Sequence, residues 1–409
     1  MKYAALFSRY LGGIVFIFSG FVKGIDPVGS QIKFGDYMSA AGMTVPDNLL
    51  LSAAFLLCAA EFIIGVWLLT GTFYKAAVIL YFAFMAVFTP LTLWLAIFNP
   101  VSDCGCFGDA IHLTNWETFF KNLVLIALGI ILLLTVRKQS PGCFPIRSSL
   151  VTSFLLVAFT GFMLYNVRHL PVVDFRPYKT GTNILEGMAI PENAPRDEYL
   201  TTLIYEKDGV KEEFTLQNYP ADDTTWQFVD QKSVLVKSGY DPPIKDFLIS
   251  STDGRDLTDY LLYDPGYSLL MISHSLLKAR RENIDRGFMR GFSAPAQNIS
   301  FYVVTSSPSS EIEKFQNGLQ FCTADATLLK TIIRSNPGYL LLKDGIIVGK
   351  WSSADLPDEE AFGSDMTANA IRKGAASSSS LAIVIFIIII ALLYIAAKRI
   401  GCKLDVRNR

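Results

Sequence analysis

Residues 74–98 read YKAAVILYFAFMAVFTPLTLWLAIF, and DCGCFG follows at residues 103–108. Lys75 is the sole charged residue of the first stretch, which exceeds the ~20 apolar residues that a helix needs to cross a bilayer. The second stretch places Cys104 and Cys106 one residue apart, just after the apolar run ends. The sequence therefore predicts a membrane protein with a pair of thiols at the membrane boundary.

Apolar residues are concentrated in blocks along the chain. Of the 409 residues, 51% are hydrophobic and 18% are charged, which is typical of an integral membrane protein. Six blocks have the length of a membrane span, and the fifth is the shortest: residues 3–21, 49–69, 74–98, 116–134, 150–165 and 381–397. We expect a membrane α-helical bundle of about four to five helices, followed much later by a C-terminal transmembrane helix.

Basic residues indicate how the spans are oriented, because Lys and Arg collect in cytoplasmic loops. They lie at the start of the first span, between the second and third, between the fourth and fifth, and after the last: Lys2, Arg9, Lys75, Arg137, Lys138, Arg147, Lys398, Arg399, Lys403, Arg407 and Arg409. This pattern predicts a bacterial cytoplasmic (inner) membrane protein with both termini in the cytoplasm. Cys104, Cys106 and residues 168–380 then lie in the oxidising periplasm, whereas Cys143 and Cys402 stay in the reducing cytosol.

The polar region after residue 167 predicts further domains. We expect the bundle at 1–167, a β-rich periplasmic connector at 168–242, an α/β domain at 243–360, a linker at 361–380, the last span at 381–398 and a cytoplasmic tail at 399–409. Asp208-Gly209 predicts one hairpin and Asp253-Gly254 a second, formed by residues 245–250 and 256–262. Strands at 267–272, 299–305, 319–322, 339–342 and 345–351 alternate with helices that begin near Ser275 and span 310–317 and 327–334.

This order of elements, together with NPGYLLLKDGIIVGKW at residues 336–351, resembles the thioredoxin-like fold. The resemblance implies that Pro337 is the cis-proline that borders the active site in that family. Where the family carries Cys-x-x-Cys, this chain reads Ser273-His274-Ser275-Leu276-Leu277-Lys278. We therefore expect no disulfide reductase activity from this domain alone.

The first 135 to 165 residues also resemble a known family. FSGFVK at residues 18–23, EFIIG at 61–65 and DCGCFG at 103–108 are similar to the DoxX-like family, in particular its MauE branch. That resemblance implies maturation of periplasmic enzymes, as in disulfide formation in methylamine dehydrogenase. It does not carry the substrate over to this chain.

Cys104 and Cys106 allow three interpretations. A single-residue spacing gives a strained, easily reduced disulfide suited to redox exchange, and Cys106→Ala would then leave Cys104 to trap a partner. The pair could instead brace a loop, or bind a metal with His112, although this spacing matches no standard zinc site. Asp103 and Asp109 flank the pair and, unless a cation offsets them, are expected to raise the thiol pKa values.

Glu61 lies near the centre of the second span, where an ionisable group is a functional candidate. It could relay protons to the cysteine pair, or simply tie helices together beside Cys58. We expect Lys23 to reach the membrane interface with its long side chain. In the soluble region, a lone His274 is more typical of a surface residue, and Cys322 is either an inert buried thiol or a resolving thiol.

Two functions from different classes follow from these patterns. The chain is either a thiol/disulfide redox component supporting maturation of periplasmic proteins, or a non-enzymatic assembly or scaffolding protein. The expected partners are membrane lipid and a periplasmic thiol/disulfide protein; 36 basic against 37 acidic residues, without a basic stripe, argue against nucleic acid. No cofactor motif is evident. A lipid-soluble quinone could reach the cysteines although no motif indicates one, and nothing indicates an oligomeric state.

Overall fold

The computed structural model describes residues 2–357 apart from residues 102, 137–144, 217, 222, 238 and 317. The linker at 361–380, the last span at 381–398, the tail at 399–409, Cys143 and Cys402 lie outside the described residues.

Six helices form the first half of the chain: α1 (Lys2–Ile25), α2 (Pro27–Ala40), α3 (Asp47–Thr70), α4 (Tyr74–Phe98), α5 (Asn115–Val136) and α6 (Pro145–His169). All except α2 are long and apolar enough to cross a membrane, so the first five predicted spans are confirmed as helices. The protein is therefore a membrane protein with a helical bundle in its N-terminal region.

Helix α2 was missed by the sequence analysis. Its 14 residues are too few and too polar for a span, yet Asp26 caps its start by accepting a hydrogen bond from the Gly29 N–H at 2.9 Å. Pro27 occupies the first helical turn, and Asp-Pro is a helix-start signal that could have been recognised.

Helices α1 and α3 cross at small residues. A Cβ added at Gly20 would lie 2.7 Å from the backbone nitrogen of Phe62, and one added at Gly65 would lie 2.7 Å from the carbonyl oxygen of Gly13. Such close backbone approach is the usual role of glycine between membrane helices. It brings one turn of α1, which carries Lys23, against the turn of α3 that carries Glu61.

The soluble region begins with α7 (Ile184–Met188) and a three-stranded antiparallel sheet of order β2-β1-β3: β1 (Glu198–Lys207), β2 (Val210–Thr215) and β3 (Gln227–Lys237). Asp208 and Gly209 connect β1 to β2 with φ of 52° and 80°, so the predicted Asp-Gly hairpin is present. Strand β3 was not predicted.

A six-stranded sheet follows, in the order β4-β7-β6-β5-β8-β9. Its elements are β4 (Ser250–Ser251), α8 (Thr258–Leu262), β5 (Tyr267–Ser273), α9 (Arg281–Ser293), β6 (Ile299–Thr305), α10 (Ser309–Ile312), β7 (Gln320–Thr323), α11 (Ala326–Ile332), β8 (Gly338–Lys343) and β9 (Ile346–Ser352). Strands β5, β6 and β7 are parallel, and β4, β8 and β9 run antiparallel to their neighbours. Side chains of α8 and α11 cover one face, and those of α9 and α10 cover the other.

Two predicted elements of this region were wrong. Thr258–Leu262 form α8 instead of a strand, because Thr258, Leu261 and Leu262 are buried at helical spacing. Of the predicted hairpin, the turn at Asp253-Gly254 and an antiparallel bridge between Ser250 and Asp256 are present. The helix expected near Ser275 begins at Arg281, since the Leu276 N–H donates to the Ser307 hydroxyl at 3.0 Å and holds that segment as a loop.

Candidate functional site

The two closely spaced cysteines lie in the segment between α4 and α5, residues 99–114, here called the cysteine loop. Gly105 separates them with a φ of 62°, a left-handed conformation that favours glycine. A turn follows, in which the Gly108 N–H donates to the Gly105 carbonyl at 3.0 Å. The backbone thus folds back on itself at Gly105 and turns both thiols toward each other.

Cys104 and Cys106 are free thiols whose Sγ atoms lie 3.1 Å apart. Cys104 is buried and Cys106 is half-buried. At this separation one thiol hydrogen-bonds to the other sulfur, and a small displacement would bring the two atoms to bonding distance. The structure therefore brings together the two residues that the sequence singled out.

Helices α1 and α2 hold the cysteine loop by hydrogen bonds to its backbone. The Tyr37 hydroxyl donates to the Cys104 carbonyl, and the Ser19 hydroxyl donates to the Cys106 carbonyl at 2.8 Å. Lys33 forms an ion pair with Asp103. Sequence reasoning missed Tyr37, Ser19 and Lys33, because hydroxyl and ammonium groups distant in the sequence carry no signal of contacting this loop.

The two thiols differ in acidity. The hydrogen bond from Cys104 lowers the pKa of Cys106 to about 6, assisted by Lys121 and opposed by burial. The same hydrogen bond, together with burial, raises the pKa of Cys104. Of the two thiols, Cys106 is therefore the one whose ionisation the surroundings favour.

Cations offset the two flanking acids, which decides the condition that the sequence left open. Asp103 is neutralised by Lys33, and Asp109 by Arg334, whose Nη2 lies 2.8 Å from its Oδ2. The ammonium group of Lys121, which lies 4.4 Å from the ring centre of Phe107, adds a positive charge beside the thiolate. These cations come from α2, α5 and the soluble region, so local sequence around the cysteines could not reveal them.

Lys23 and Glu61 form a buried ion pair below the loop. Lys23 Nζ lies 2.6 Å from Glu61 Oε1, with side chains 6% and 8% exposed. The expectation that Lys23 reaches the interface was wrong, because its charge is satisfied inside the bundle. Glu61 Oε2 is also buried and has no hydrogen-bond partner among the residues that the structure describes.

A cavity between α1 to α5, here called the cysteine pocket, connects the cysteine loop to this ion pair. Both cysteines contribute to its wall, together with Lys23 and Glu61. The remaining wall is mostly aromatic and aliphatic, with the polar residues Ser19, Ser30, Lys33, Tyr37, Lys121 and Asn122 near the loop and the pair. The two cysteines, the Lys23–Glu61 pair and an apolar wall therefore border one space.

The soluble region contacts the same end of the bundle. Arg334, which follows α11, is 9% exposed and bonds Asp26 at the start of α2 through Nε at 2.7 Å, besides its bond to Asp109 in the cysteine loop. Lys278 pairs with Asp47 in the first turn of α3 at 2.6 Å. One arginine therefore joins the soluble region to two segments that surround the cysteine pair.

The Ser273–Lys278 segment lies beside Pro337, whose peptide bond with Asn336 is cis. The Ser273 hydroxyl donates to Asn336 Oδ1 at 2.7 Å, and Asn336 Nδ2 donates to the Ser275 carbonyl at 2.9 Å. His274 is half-buried, and burial, with Lys330 and Lys278, lowers its pKa to about 4. It therefore stays neutral near pH 7.

Two other candidates lie apart from this chemistry. Cys322 is fully buried in the core of the six-stranded sheet, where burial raises its pKa to about 11. His112 Nδ1 lies 3.6 Å from Asp103 Oδ2 and is largely exposed. In the described part of the chain, no group of three or more His, Cys, Asp and Glu side chains is positioned to bind a metal ion.

Two family models match the sequence. Residues 199–238, which form most of the three-stranded sheet, match the model described as "Domain of unknown function (DUF8463)". No curated protein and no solved structure matches the chain. Residues 1–135, which contain the cysteine loop, Lys23 and Glu61, match the model described as "Methylamine utilisation protein MauE", so helices α1 to α5 of this chain are similar to MauE.

Proposed function

We propose that Cys104 and Cys106 form a thiol/disulfide exchange pair that supports maturation of proteins in the periplasm of a bacterium. The observation that carries this proposal is the 3.1 Å contact between two free thiols, one buried and one half-buried, in a loop where membrane spans end. A lowered Cys106 pKa supplies the thiolate that exchange requires. Similarity of residues 1–135 to MauE supports an integral membrane component of this kind.

The charge asymmetry of the loops supports the periplasmic orientation. So does the contact of Arg334 with Asp109, because the large polar region and the cysteine loop then lie on one side of the membrane. In this orientation both thiols face the compartment in which disulfides form.

We further propose that the six-stranded sheet is thioredoxin-like and binds the partner protein without performing redox chemistry itself. Its parallel β5–β6–β7 core with antiparallel β8 and β9 supports this comparison. The segment at the position of the missing Cys-x-x-Cys contains Ser273, His274 and Ser275, and the domain's one cysteine, Cys322, is buried. The redox chemistry is thereby left to the cysteine loop that Arg334 contacts.

The exchange step proceeds through Cys106. A partner thiolate attacks Cys106 Sγ of the oxidised pair, the Cys104–Cys106 bond breaks, and Cys104 leaves and is protonated. A second partner thiolate then attacks the partner sulfur and releases Cys106 as a thiolate. The partner gains a disulfide and the pair gains two electrons, while Glu61 relays protons between the pair and the bundle interior.

We expect Cys104→Ser to trap a periplasmic partner on Cys106. Cys106 is the more exposed and more acidic residue of the pair, so in the reverse of the exchange step its thiolate attacks the disulfide of an oxidised partner. Without Cys104, the pair has no second thiol to resolve the mixed disulfide that results. The measurement is a reductant-sensitive adduct on a non-reducing gel. This reverses the assignment expected from sequence, in which Cys106→Ala traps a partner on Cys104.

Cys106→Ser is the matched control and should trap much less, because Cys104 is buried and its pKa is raised. The double serine variant should trap nothing and should lose partner maturation. If the double variant matures its partners as the parent does, the exchange function fails, and the scaffolding alternative accounts for the protein.

The rate at which iodoacetamide alkylates Cys106 should rise with pH, with a midpoint near pH 6 and a plateau about one pH unit higher, because the thiolate is the reactive form and its pKa is lowered to about 6. Peptide mass spectrometry measures this rate separately for Cys104 and Cys106. Lys121→Met should move the midpoint upward by removing a positive charge, whereas Lys75→Met, at the start of α4, should leave it in place. A parental midpoint near the ordinary cysteine value of ~8.5 would contradict the assignment of Cys106 as the thiolate.

A further inference from the structure

We infer that Tyr37 is a catalytic residue of the exchange pair, whose hydroxyl donates a hydrogen bond to the Cys104 sulfur as that sulfur leaves. This inference rests on the proposed exchange function, because it names a group that acts in the same reaction. It is carried by the position of the Tyr37 hydroxyl, the burial of Cys104 and the face that helix α2 turns toward the cysteine loop.

Helix α2 presents one face to the space that the two cysteines border. Four of its residues recur at helical spacing and line the cysteine pocket: Ser30, Lys33, Phe34 and Tyr37. Lys33 pairs with Asp103, and Tyr37, one turn further along, donates to the Cys104 carbonyl. These two contacts hold α2 against the loop and place the Tyr37 ring beside Cys104.

The Tyr37 hydroxyl reaches two acceptors of the same residue. It donates to the carbonyl oxygen of Cys104, and it is also within hydrogen-bond reach of the Cys104 sulfur, where a donor favours the thiolate. The proton of a hydroxyl can turn toward either of two acceptors, so the switch from carbonyl to sulfur requires no movement of the ring. Tyr37 is therefore placed to respond to a negative charge that forms on Cys104.

Cys104 needs such a donor because it is buried. Its hydrogen bond with Cys106, followed by burial, raises its pKa, and the burial remains when the pair is oxidised. A sulfur leaves more slowly from a disulfide when the pKa of its thiol is high. A hydrogen bond from Tyr37 to the leaving thiolate replaces part of the hydration that a buried sulfur lacks.

Tyr37 keeps its own proton and acts only as a donor. Burial raises the pKa of its hydroxyl, and the charge that Cys104 can carry raises this pKa further. A neutral phenol both donates and accepts, whereas a phenolate would only accept. The hydroxyl is therefore in its donating form when exchange takes place near neutral pH.

The step balances with the partner thiolate and water. The partner sulfur forms a bond to Cys106 Sγ, the Cys104–Cys106 bond breaks, and its electron pair stays on Cys104 Sγ. The O–H bond of Tyr37 remains intact and donates to that sulfur until a water molecule protonates it. The partner sulfur is oxidised to a mixed disulfide, and Cys104 is reduced to a thiol.

The test compares the two sulfurs of one disulfide in the full-length protein in lipid nanodiscs. Diamide oxidises the pair, excess glutathione attacks it for short times, and N-ethylmaleimide stops the reaction. Tandem mass spectrometry then identifies the attacked sulfur by its glutathione and the sulfur that left by its N-ethylmaleimide. The variants are Tyr37→Phe, Ser19→Ala and, as a matched loss of a hydroxyl at an 86% exposed position, Tyr3→Phe.

In Tyr37→Phe we expect attack on Cys106, which expels Cys104, to slow by roughly tenfold to a hundredfold, the usual effect of losing a hydrogen bond to a charged group. Attack on Cys104, which expels Cys106, should keep its rate. Ser19→Ala removes the donor to the Cys106 carbonyl and should change both attacks by the same factor, because it loosens the loop without removing a donor to either sulfur. Tyr3→Phe should change neither.

Both rates come from one protein sample, so a variant that merely loosens the fold changes them together. Equal slowing of both attacks in Tyr37→Phe would show that Tyr37 only anchors the loop, and unchanged rates would show that it takes no part in exchange. Either result overturns the inference and leaves the exchange function standing. If diamide forms no disulfide in the parent, or glutathione attacks neither sulfur, the exchange function and the inference both fail.

Discussion

Removal of either charge of the Lys23–Glu61 pair is expected to cost the bundle ~3–5 kcal/mol of stability, because the remaining charge stays buried without its partner. The two side chains are 6% and 8% exposed and lie on α1 and α3, the helices that cross at Gly20 and Gly65. Lys23→Met and Glu61→Leu should each lower the unfolding temperature of the purified protein in detergent.

The double variant Lys23→Met/Glu61→Leu is the decisive comparison. Replacing both members of a buried pair with apolar residues is often neutral or stabilising, so we expect the unfolding temperature to return close to that of the parent. Lys75→Met, which removes an exposed charge at the start of α4, should change little. If either single variant is as stable as the parent, the pair does not hold α1 against α3.

The same double variant distinguishes a structural role of Glu61 from a role in proton transfer. If Glu61 only ties the helices together, the restored fold should also restore reoxidation of Cys104 and Cys106. If Glu61 relays protons, as proposed, the double variant should fold normally and still reoxidise slowly. The measurement is the rate at which the reduced Cys104–Cys106 pair forms a disulfide in the parent and in the double variant. The comparison is made once the unfolding temperatures of the two proteins have been found to agree.

Arg334→Met is expected to release the soluble region from the cysteine loop. The contact between the two should lose roughly 3 kcal/mol of free energy, because removing one member of a buried charge network leaves its partners unpaired. Its guanidinium binds Asp26 and Asp109 at 2.7 and 2.8 Å, and the substitution would leave two partly buried carboxylates facing each other. Hydrogen exchange should rise in residues 103–110 and at the start of α2.

Two variants control for this effect. Arg334→Lys provides one compact charge that cannot bridge both carboxylates as a planar guanidinium does, so we expect it to behave nearly as Arg334→Met. Arg255→Met removes an exposed arginine that pairs with Asp253, and it should leave hydrogen exchange in the cysteine loop unchanged. Unchanged exchange in the cysteine loop of Arg334→Met would mean that other contacts hold the soluble region in place.

These two sets of contacts make the cysteine pair a shared site. From inside the bundle, Glu61 and Lys23 form the wall of the cysteine pocket; from outside, Arg334 neutralises Asp109 and holds the soluble region over the loop. The surroundings of the cysteine pair are thus set by both the bundle and the soluble region.

Local features of the chain were predictable from sequence. The spans follow from uninterrupted apolar runs, because a helix must bury ~20 such residues to cross a bilayer. The hairpin at Asp208-Gly209 follows from a turn that needs two positive φ angles, and the alternating strands from 267 to 351 follow from apolar runs between turn residues. Helix α8 was misread because five residues are too few for the helical period to stand out from alternation.

The sequence by itself identified the candidate residues: two cysteines one glycine apart, a carboxylate within a span, and a soluble domain without Cys-x-x-Cys. Only the tertiary structure decided which groups they contact. Lys23 meets Glu61 because glycines let α1 and α3 approach closely, and Cys106 becomes the acidic thiol because Cys104 donates to it while Lys121 lies nearby. Electrostatic interactions depend on distances of a few ångströms between groups far apart in the chain, and burial strengthens them, so their sign and partners emerge only when the helices pack.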